Sequence, residues 1–432
     1  MQHTKLFKSK IAKNASWIII SKIIQSILGL VISVFTARFL GPSNYGLINY
    51  AESIVAFVVP VMNLGFSHVL VQELTNNPDE EGKIIGTSVI LSVCSSFVCI
   101  LSVLSYTMLV DLDEPITHLV VGLYSVMLIF QALELIQYWY QAKLLSKYMA
   151  IVSLSAYLLV SIYKTMLLIN KADVYLFAIS NSIDYLIIAI VLFIIYKRLG
   201  GQKLSFSREV GARMFKKSKH YIVSSLMVVI FAQTDKVMLK LMIGSNAVGY
   251  YSAAIKCAGI TAFVFSAIID SFRPVIFAHK KDGDQRGYEK NLERLYCIVI
   301  YLALIQSITM TVLSQLIIGV LYGEQYTPSV LALQIIVWYT TFSYMGSVRN
   351  VWILGENKQR FLWILNLGSA IANVFLNFIL IPFFGIYGAA LASLATQIFA
   401  NIIMNSIVYP LKHNNDLILR GLNPKNILEI FR

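Results

Sequence analysis

Twelve apolar runs, joined by short polar connections, leave this chain few options. They lie at roughly 15–37, 45–66, 84–106, 116–139, 149–170, 174–196, 219–243, 247–270, 295–318, 329–353, 361–382 and 386–409. Crossing the hydrocarbon core of a bilayer takes about 20 apolar residues of helix. In that medium each backbone N–H and C=O must be satisfied within the protein, which a helix achieves by itself. The runs therefore predict an all-α integral membrane protein with 12 transmembrane helices. Composition decides the alternative: charged residues make up 13% of the chain, about half the share of a soluble domain. That is too few to clothe a water-facing surface, which excludes a soluble enzyme and a disordered chain. No connection has room for an extramembrane domain.

The net charge of +13 would point to nucleic acid in a soluble protein. Here its distribution gives another reading. With the N-terminus in the cytoplasm, 27 of the 29 Lys and Arg residues in the connections fall on the cytoplasmic side, against Arg38 and Lys171 opposite. This asymmetry orients the chain with both termini cytoplasmic, and attraction to anionic headgroups accounts for the basic stretches 197–219 and 273–294. No nucleic-acid partner is expected. Met1–Lys13 is basic, but the apolar run after it is long and lacks a small-residue cleavage site, so it reads as the first span. Cys94, Cys99, Cys257 and Cys297 sit in apolar runs without metal-ligand spacing and read as small buried hydrophobes.

The chain also carries a trace of duplication. Gly41-Pro-Ser-Asn-Tyr-Gly46, between spans one and two, matches Gly244-Ser-Asn-Ala-Val-Gly249 at a shift of 203 residues, and Ala51 matches Ala254. Each half would hold six spans, so both enter the membrane in the same direction. A parallel repeat of two six-helix lobes about an axis along the membrane normal follows, as in some carriers. The expected boundaries are 1–200 for the N-terminal lobe, 201–220 for a cytoplasmic linker and 221–432 for the C-terminal lobe. A fused structural dimer would leave the same trace.

Charges inside the spans each need a reason, since one near the bilayer centre costs at least about 2.5 kcal/mol. Lys22 shares a face of span one with Gln25, Ser26, Gly29 and Ser33, and the matching span seven carries Lys236 and Lys240. Lys256 lies near mid-depth in span eight, and Arg349 near the inner end of span ten. One reading is a cationic cavity that attracts an anion, lined by Lys22, Lys236, Lys256 and Arg349. The other is snorkelling, which suits Lys240 best and also fits Lys164 and Arg349. Glu52, Asp184 and Asp235 are candidate proton carriers or ion-pair partners. Asp270 should pair locally with Arg273, and an aromatic belt accounts for Tyr138, Trp139 and Tyr140 around Glu134. Asn366, Asn373 and Asn377 in span eleven, and Gln397, Asn401 and Asn405 in span twelve, form amide stripes. These either glue helices together or, at Asn373, Asn377, Gln397 and Asn401, contact sugar hydroxyls. Pro60 is expected to kink span two.

No phosphate-binding GxxxxGK[ST], HExxH or nucleophile elbow occurs, so no cofactor, metal or enzymatic activity is expected. The basic N-terminus, Arg38-Phe-Leu-Gly-Pro-Ser-Asn-Tyr-Gly46 and Phe384-Gly-Ile-Tyr-Gly-Ala-Ala-Leu-Ala392 resemble bacterial polysaccharide flippases. These are the Wzx-type O-antigen and capsule-repeat translocases of the multidrug/oligosaccharidyl-lipid/polysaccharide exporter superfamily. The resemblance covers essentially the whole chain. It implies a V-shaped pair of six-helix lobes in the bacterial inner membrane. It further implies flipping of an undecaprenyl-diphosphate-linked oligosaccharide to the periplasmic leaflet by ion-coupled alternating access, in O-antigen, lipopolysaccharide or capsule biosynthesis. The implied partners are that substrate, membrane lipid and the polysaccharide polymerase machinery. Two alternatives stand beside it: a cation-coupled multidrug antiporter of the same superfamily, and a non-transporting membrane scaffold or enzyme.

Overall fold

Each of the twelve apolar runs coincides with a helical segment. The computed structural model describes the backbone of residues 2–424 and the side chains of Trp17 and of residues 20–424. The side chains of Lys5, Lys8, Lys10 and Lys13, and the whole of Lys425 and Arg432, lie outside the described residues. Among the described residues there is no strand, and ten stretches are long and apolar enough to cross a bilayer. The first of these, Ile20–Met62, holds two of the runs. Its helix is broken at Gly41, whose φ of 71° and ψ of 173° belong to a region open only to glycine. Gly244, its counterpart at the 203-residue shift, adopts φ 127° and ψ 177° between Arg208–Met242 and Ser245–Ala258. The remaining run lies in the Ser329–Gly355 helix.

The two long polar stretches are mostly helix rather than loop. Arg208–Met242 starts well before its apolar run, and Ala262–Lys281 and Gln285–Leu321 reach toward each other across a three-residue turn. The stretch read as a linker, 201–220, is therefore extended only to Ser207, where its backbone N–H donates to Thr87 Oγ1 at 2.9 Å. From Arg208 it is helix, held down by ionic contacts. Glu73, 1% exposed, accepts Arg213 Nε at 3.2 Å and Lys217 Nζ at 2.5 Å, while Arg213 also reaches Glu80 at 2.7 Å. These cations fold the start of the helix onto the turn after span two.

The chain divides into two compact units. One holds the residues up to Leu40 with Leu47–Val229; the other holds Gly41–Gly46 with the residues from Ile230 on. In the first unit Phe66, Leu70 and Leu74 pack with Trp139, Tyr140 and Tyr196. Trp139 and Tyr140 are therefore not part of an interfacial belt. Both are buried, and their polar atoms face inward, with the Tyr140 hydroxyl donating to the Leu192 carbonyl at 2.5 Å. The core of the second unit gathers Tyr288, Tyr296, Val348 and Trp352. There Asp284 caps Gln285–Leu321, accepting from Gly287 N at 2.9 Å and meeting His279 Nδ1 at 2.9 Å. Those two donors, Gly287 first, hold the Asp284 carboxyl below the usual carboxylate range. Asp270 pairs with Arg273 at 3.2 Å, as the spacing predicts. Cys99, Cys257 and Cys297 are buried; Cys94 instead lies exposed on the Glu81–Val110 helix.

Candidate functional site

Each unit places intramembrane carboxylates at its centre, in different company. In the second unit, Asp235 is 6% exposed and accepts hydrogen bonds from three other helices. Asn373 Nδ2 and Asn377 Nδ2 donate to Oδ1 at 3.0 and 2.5 Å. The Tyr251 hydroxyl donates to Oδ2 at 2.5 Å, and the Ser393 hydroxyl is a second donor to that oxygen. Asn373 and Asn377 lie four residues apart on Leu362–Phe384, so one face of that helix delivers both amides. Four neutral donors thus meet one carboxylate, and Asn377 Nδ2 also donates to Asn373 Oδ1 at 3.1 Å. The Asn377 Oδ1 atom is buried without a hydrogen-bond partner.

In the first unit, Glu52 and Asp184 line a cavity of about 310 Å³ with Tyr124, Asn181 and Tyr185. Asn181 Nδ2 donates to the Tyr124 hydroxyl at 2.8 Å, and Lys164 Nζ lies 3.5 Å from Asn181 Oδ1. Asp184 Oδ1 has no hydrogen-bond partner, while Lys164 acts on the carboxylate through space. Glu134 is close enough to interact electrostatically with Asp184 and Tyr185. It stands in the 3-10 turn Glu134–Ile136 that interrupts the fourth span. Sequence reasoning left Glu134 among interface residues and did not single out Tyr124, Asn181 or Tyr185. A signal was available in Asn181, Asp184 and Tyr185, whose spacing of three and four residues puts them on one helix face.

The cations differ in burial and in partners. Lys22 is exposed beside a packed face: Ser21 Oγ donates to the Ala150 carbonyl at 3.1 Å, and Gln25 Nε2 donates to Ser21 Oγ at 3.1 Å. The stripe read on span one therefore splits, with Gln25 and Gly29 turned toward the packed face beside Ser21 and Lys22 and Ser26 outward. In the second unit, Lys236 and Lys240 are 8% and 6% exposed. Lys240, expected to snorkel, is buried instead. The half-buried Lys256 holds its ammonium 5.0 Å from the Tyr45 ring centroid. Arg349 is buried and donates to the Ala400 carbonyl at 2.7 Å. That carbonyl belongs to the π-helical stretch Phe399–Ile403, whose widened turn opens backbone acceptors to side chains. Gln397 and Asn401 bond each other, Asn401 Nδ2 donating to Gln397 Oε1 at 2.6 Å. Asn405 Nδ2 donates to the Asn401 carbonyl at 2.7 Å. The amides of span twelve are thus bonded to one another along their own helix, at intervals of four residues.

The profile of a family described as polysaccharide biosynthesis protein matches residues 11–280. An uncharacterised membrane protein of Methanocaldococcus jannaschii is 28% identical over 251 residues, which is 54% of this chain and 48% of that protein. The match thus spans about half the length of that relative. Among solved structures, the lipid II flippase MurJ in an inward closed conformation superposes with a TM-score of 0.72, covering 93% of this chain and 90% of that one at 15% identity. An inward-facing multidrug resistance MATE family transporter of the MOP superfamily gives 0.65, with 90% and 96% covered at 13% identity. A eukaryotic MATE transporter gives 0.64, with 95% and 99% covered at 11% identity. At these identities the likeness concerns the fold: that of multi-pass, all-helical transporters.

Proposed function

The chain belongs to the polysaccharide biosynthesis protein family, and from that premise we propose that it carries a lipid-linked oligosaccharide across the membrane. The substrate class is a polyprenyl-diphosphate-linked repeat, undecaprenyl in a bacterial inner membrane, moved from the cytoplasmic to the outer leaflet. The observation that carries this reading is the family match on a chain whose fold is shared with a lipid II flippase. The chemistry supports it. A diphosphate bearing sugars cannot cross hydrocarbon unaided, and Lys22, Lys236 and Lys256 are cations kept within apolar helices at a cost. Their role is anion contact, while the lipid tail stays in the bilayer. Glu52 and Asp184, facing a cavity, are the proton or cation carriers that couple movement to a gradient. The six-span halves act as the two moving bodies, and both termini lie in the cytoplasm.

The multidrug-antiporter reading has one observation in its favour, the acid-lined cavity of the first unit, since an organic cation would suit it. Reconstitution separates the two. Purified protein in vesicles should expose a fluorescent undecaprenyl-diphosphate oligosaccharide to an impermeant quencher in the opposite leaflet. Lys256→Ala should slow this at least tenfold and Lys256→Arg should restore part of it, because a point charge matters more than its shape here. Gradient-driven efflux of ethidium with no lipid flipping would overturn the proposal in favour of the antiporter.

A further inference from the structure

A second cavity of the first unit shares a wall with the one that holds Glu52 and Asp184. It measures about 530 Å³, and Asn63, His68, Ser224 and Ser225 are among the residues lining it. Ala56 and Val59 line both cavities. All of these residues belong to the first unit. Glu52, Ala56, Val59 and Asn63 follow at intervals of four, three and four residues, which is one face of a helix. The eleven residues from Glu52 to Asn63 rise about 16 Å, close to half of a hydrocarbon core roughly 30 Å thick. The two cavities together therefore cover the distance from mid-membrane to one surface.

The outer end of this track is polar. His68 Nε2 lies 3.2 Å from Ser225 Oγ, and its ring stacks on Tyr221 with centroids 4.7 Å apart. Both partners stand on the Arg208–Met242 helix. His68 is exposed, at the end of the unit where Glu73 meets Arg213 and Lys217. Asn63 Oδ1 is buried without a hydrogen-bond partner, as is Asp184 Oδ1 in the inner cavity. Between them, Pro60 has no N–H to give the Ala56 carbonyl four residues back. Buried acceptors with room beside them and further polar groups in reach are what ordered water satisfies.

We propose that the two cavities form one water-filled passage inside the first unit. It opens Glu52 and Asp184 to the surface that carries Glu73, Arg213 and Lys217, with His68 as the proton relay at its mouth. A proton leaving either acid travels along the water and adds to the His68 ring. It then leaves for bulk solvent, which returns the imidazole to its neutral form; imidazole is the side chain best suited to such exchange near neutral pH. The relay rests on the reading of Glu52 and Asp184 as proton carriers; the passage does not.

The test uses full-length protein with its four native cysteines changed to alanine and a reporter Ala56→Cys. An impermeant methanethiosulfonate is applied from each side of the membrane in turn. Labelling should be at least tenfold faster from the side of Glu73 than from the other. Ser224→Trp, which fills the outer cavity, should slow it at least tenfold. Ser53→Cys, at a fully buried position of the same helix, should stay unlabelled. Melting curves identify variants that fail to fold, and Val228→Trp, at an exposed lining position, replaces Ser224→Trp where that happens. Three results overturn the passage: no labelling of Ala56→Cys from that side, labelling unaffected by a folded tryptophan variant, or equal labelling of Ser53→Cys. His68→Ala should slow gradient-driven flipping at least fivefold, and free imidazole in the medium should restore part of it. No slowing, or slowing that imidazole leaves unchanged, overturns the relay. If a tryptophan variant shuts out the label while gradient-driven flipping is untouched, the passage stands, and the relay falls together with the reading of Glu52 and Asp184 as carriers.

Discussion

Asp235 in the second unit and Asp184 in the first are the same residue type, each inside an apolar helix, yet their surroundings differ in the number of donors they offer. Asp235 accepts from Asn373, Asn377, Tyr251 and Ser393, so three other helices lean on one carboxylate. Asp184 faces a cavity beside Glu52 with one oxygen unpartnered. An acid whose hydrogen-bonding capacity is filled by protein holds helices together. An acid with an open oxygen beside a cavity is available to exchange a proton or a cation. Burial alone does not distinguish the two; the number of donors aimed at the group does.

The sharpest way to break this comparison is Asp235→Ala. It strips the shared acceptor from two amides and two hydroxyls in a buried setting, where each unsatisfied group costs about 1–3 kcal/mol. The expected loss is about 3 kcal/mol or more, seen as a collapse in melting temperature and in yield of monodisperse protein. Asp235→Asn should cost about 1–2 kcal/mol, because the hydroxyls can rotate to donate to its oxygen while its amide faces two other amides. A melting temperature unchanged in Asp235→Ala would dissolve the distinction between the two acids.

The complementary change is Glu52→Gln or Asp184→Asn. Gradient-driven flipping should fall at least tenfold in vesicles while melting shifts little, because both carboxylates line a cavity and Asp184 Oδ1 meets no donor. Stability lost with transport retained would reverse the assignment. Arg349 offers a smaller test on the structural side. Its guanidinium serves the Ala400 carbonyl, so Arg349→Met, which fills the volume, should be tolerated within about 1.5 kcal/mol, and Arg349→Ala should cost more.

The smallest effect lies outside the membrane. The folded-state pKa of Asp284 is lowered, so its cap contributes above the ordinary carboxylate pKa of about 3.9 and is lost as pH falls through the lowered value. Protection of the Gly287 amide in hydrogen exchange, corrected for the intrinsic rate, should be flat from neutral pH down to about pH 4 and drop only below it. Asp284→Asn should weaken that acid-side drop. A drop centred near neutrality would mean that His279, not Asp284, governs the turn.

What the residues determined unaided was the architecture. Hydrocarbon leaves a backbone no choice but helix, so twelve apolar runs become twelve helical segments, and Gly41 and Gly244 mark equivalent breaks because only glycine adopts the backbone angles found there. Short-range pairings were legible for the same reason: Asp270 and Arg273 lie three residues apart on one helix. Partnerships between helices were not. Hydrophobicity is nondirectional, so nothing in the span pattern says that Asn373 and Asn377 turn to Asp235, or that Trp139 and Tyr140 point into a core instead of the interface. Nor does it say that Lys240 is buried while Lys22 is exposed, or that the glycines of the two repeats rest on each other's backbone. Each of these depends on how one helix is rotated against its neighbour, and that rotation is set only when all the side chains pack at once.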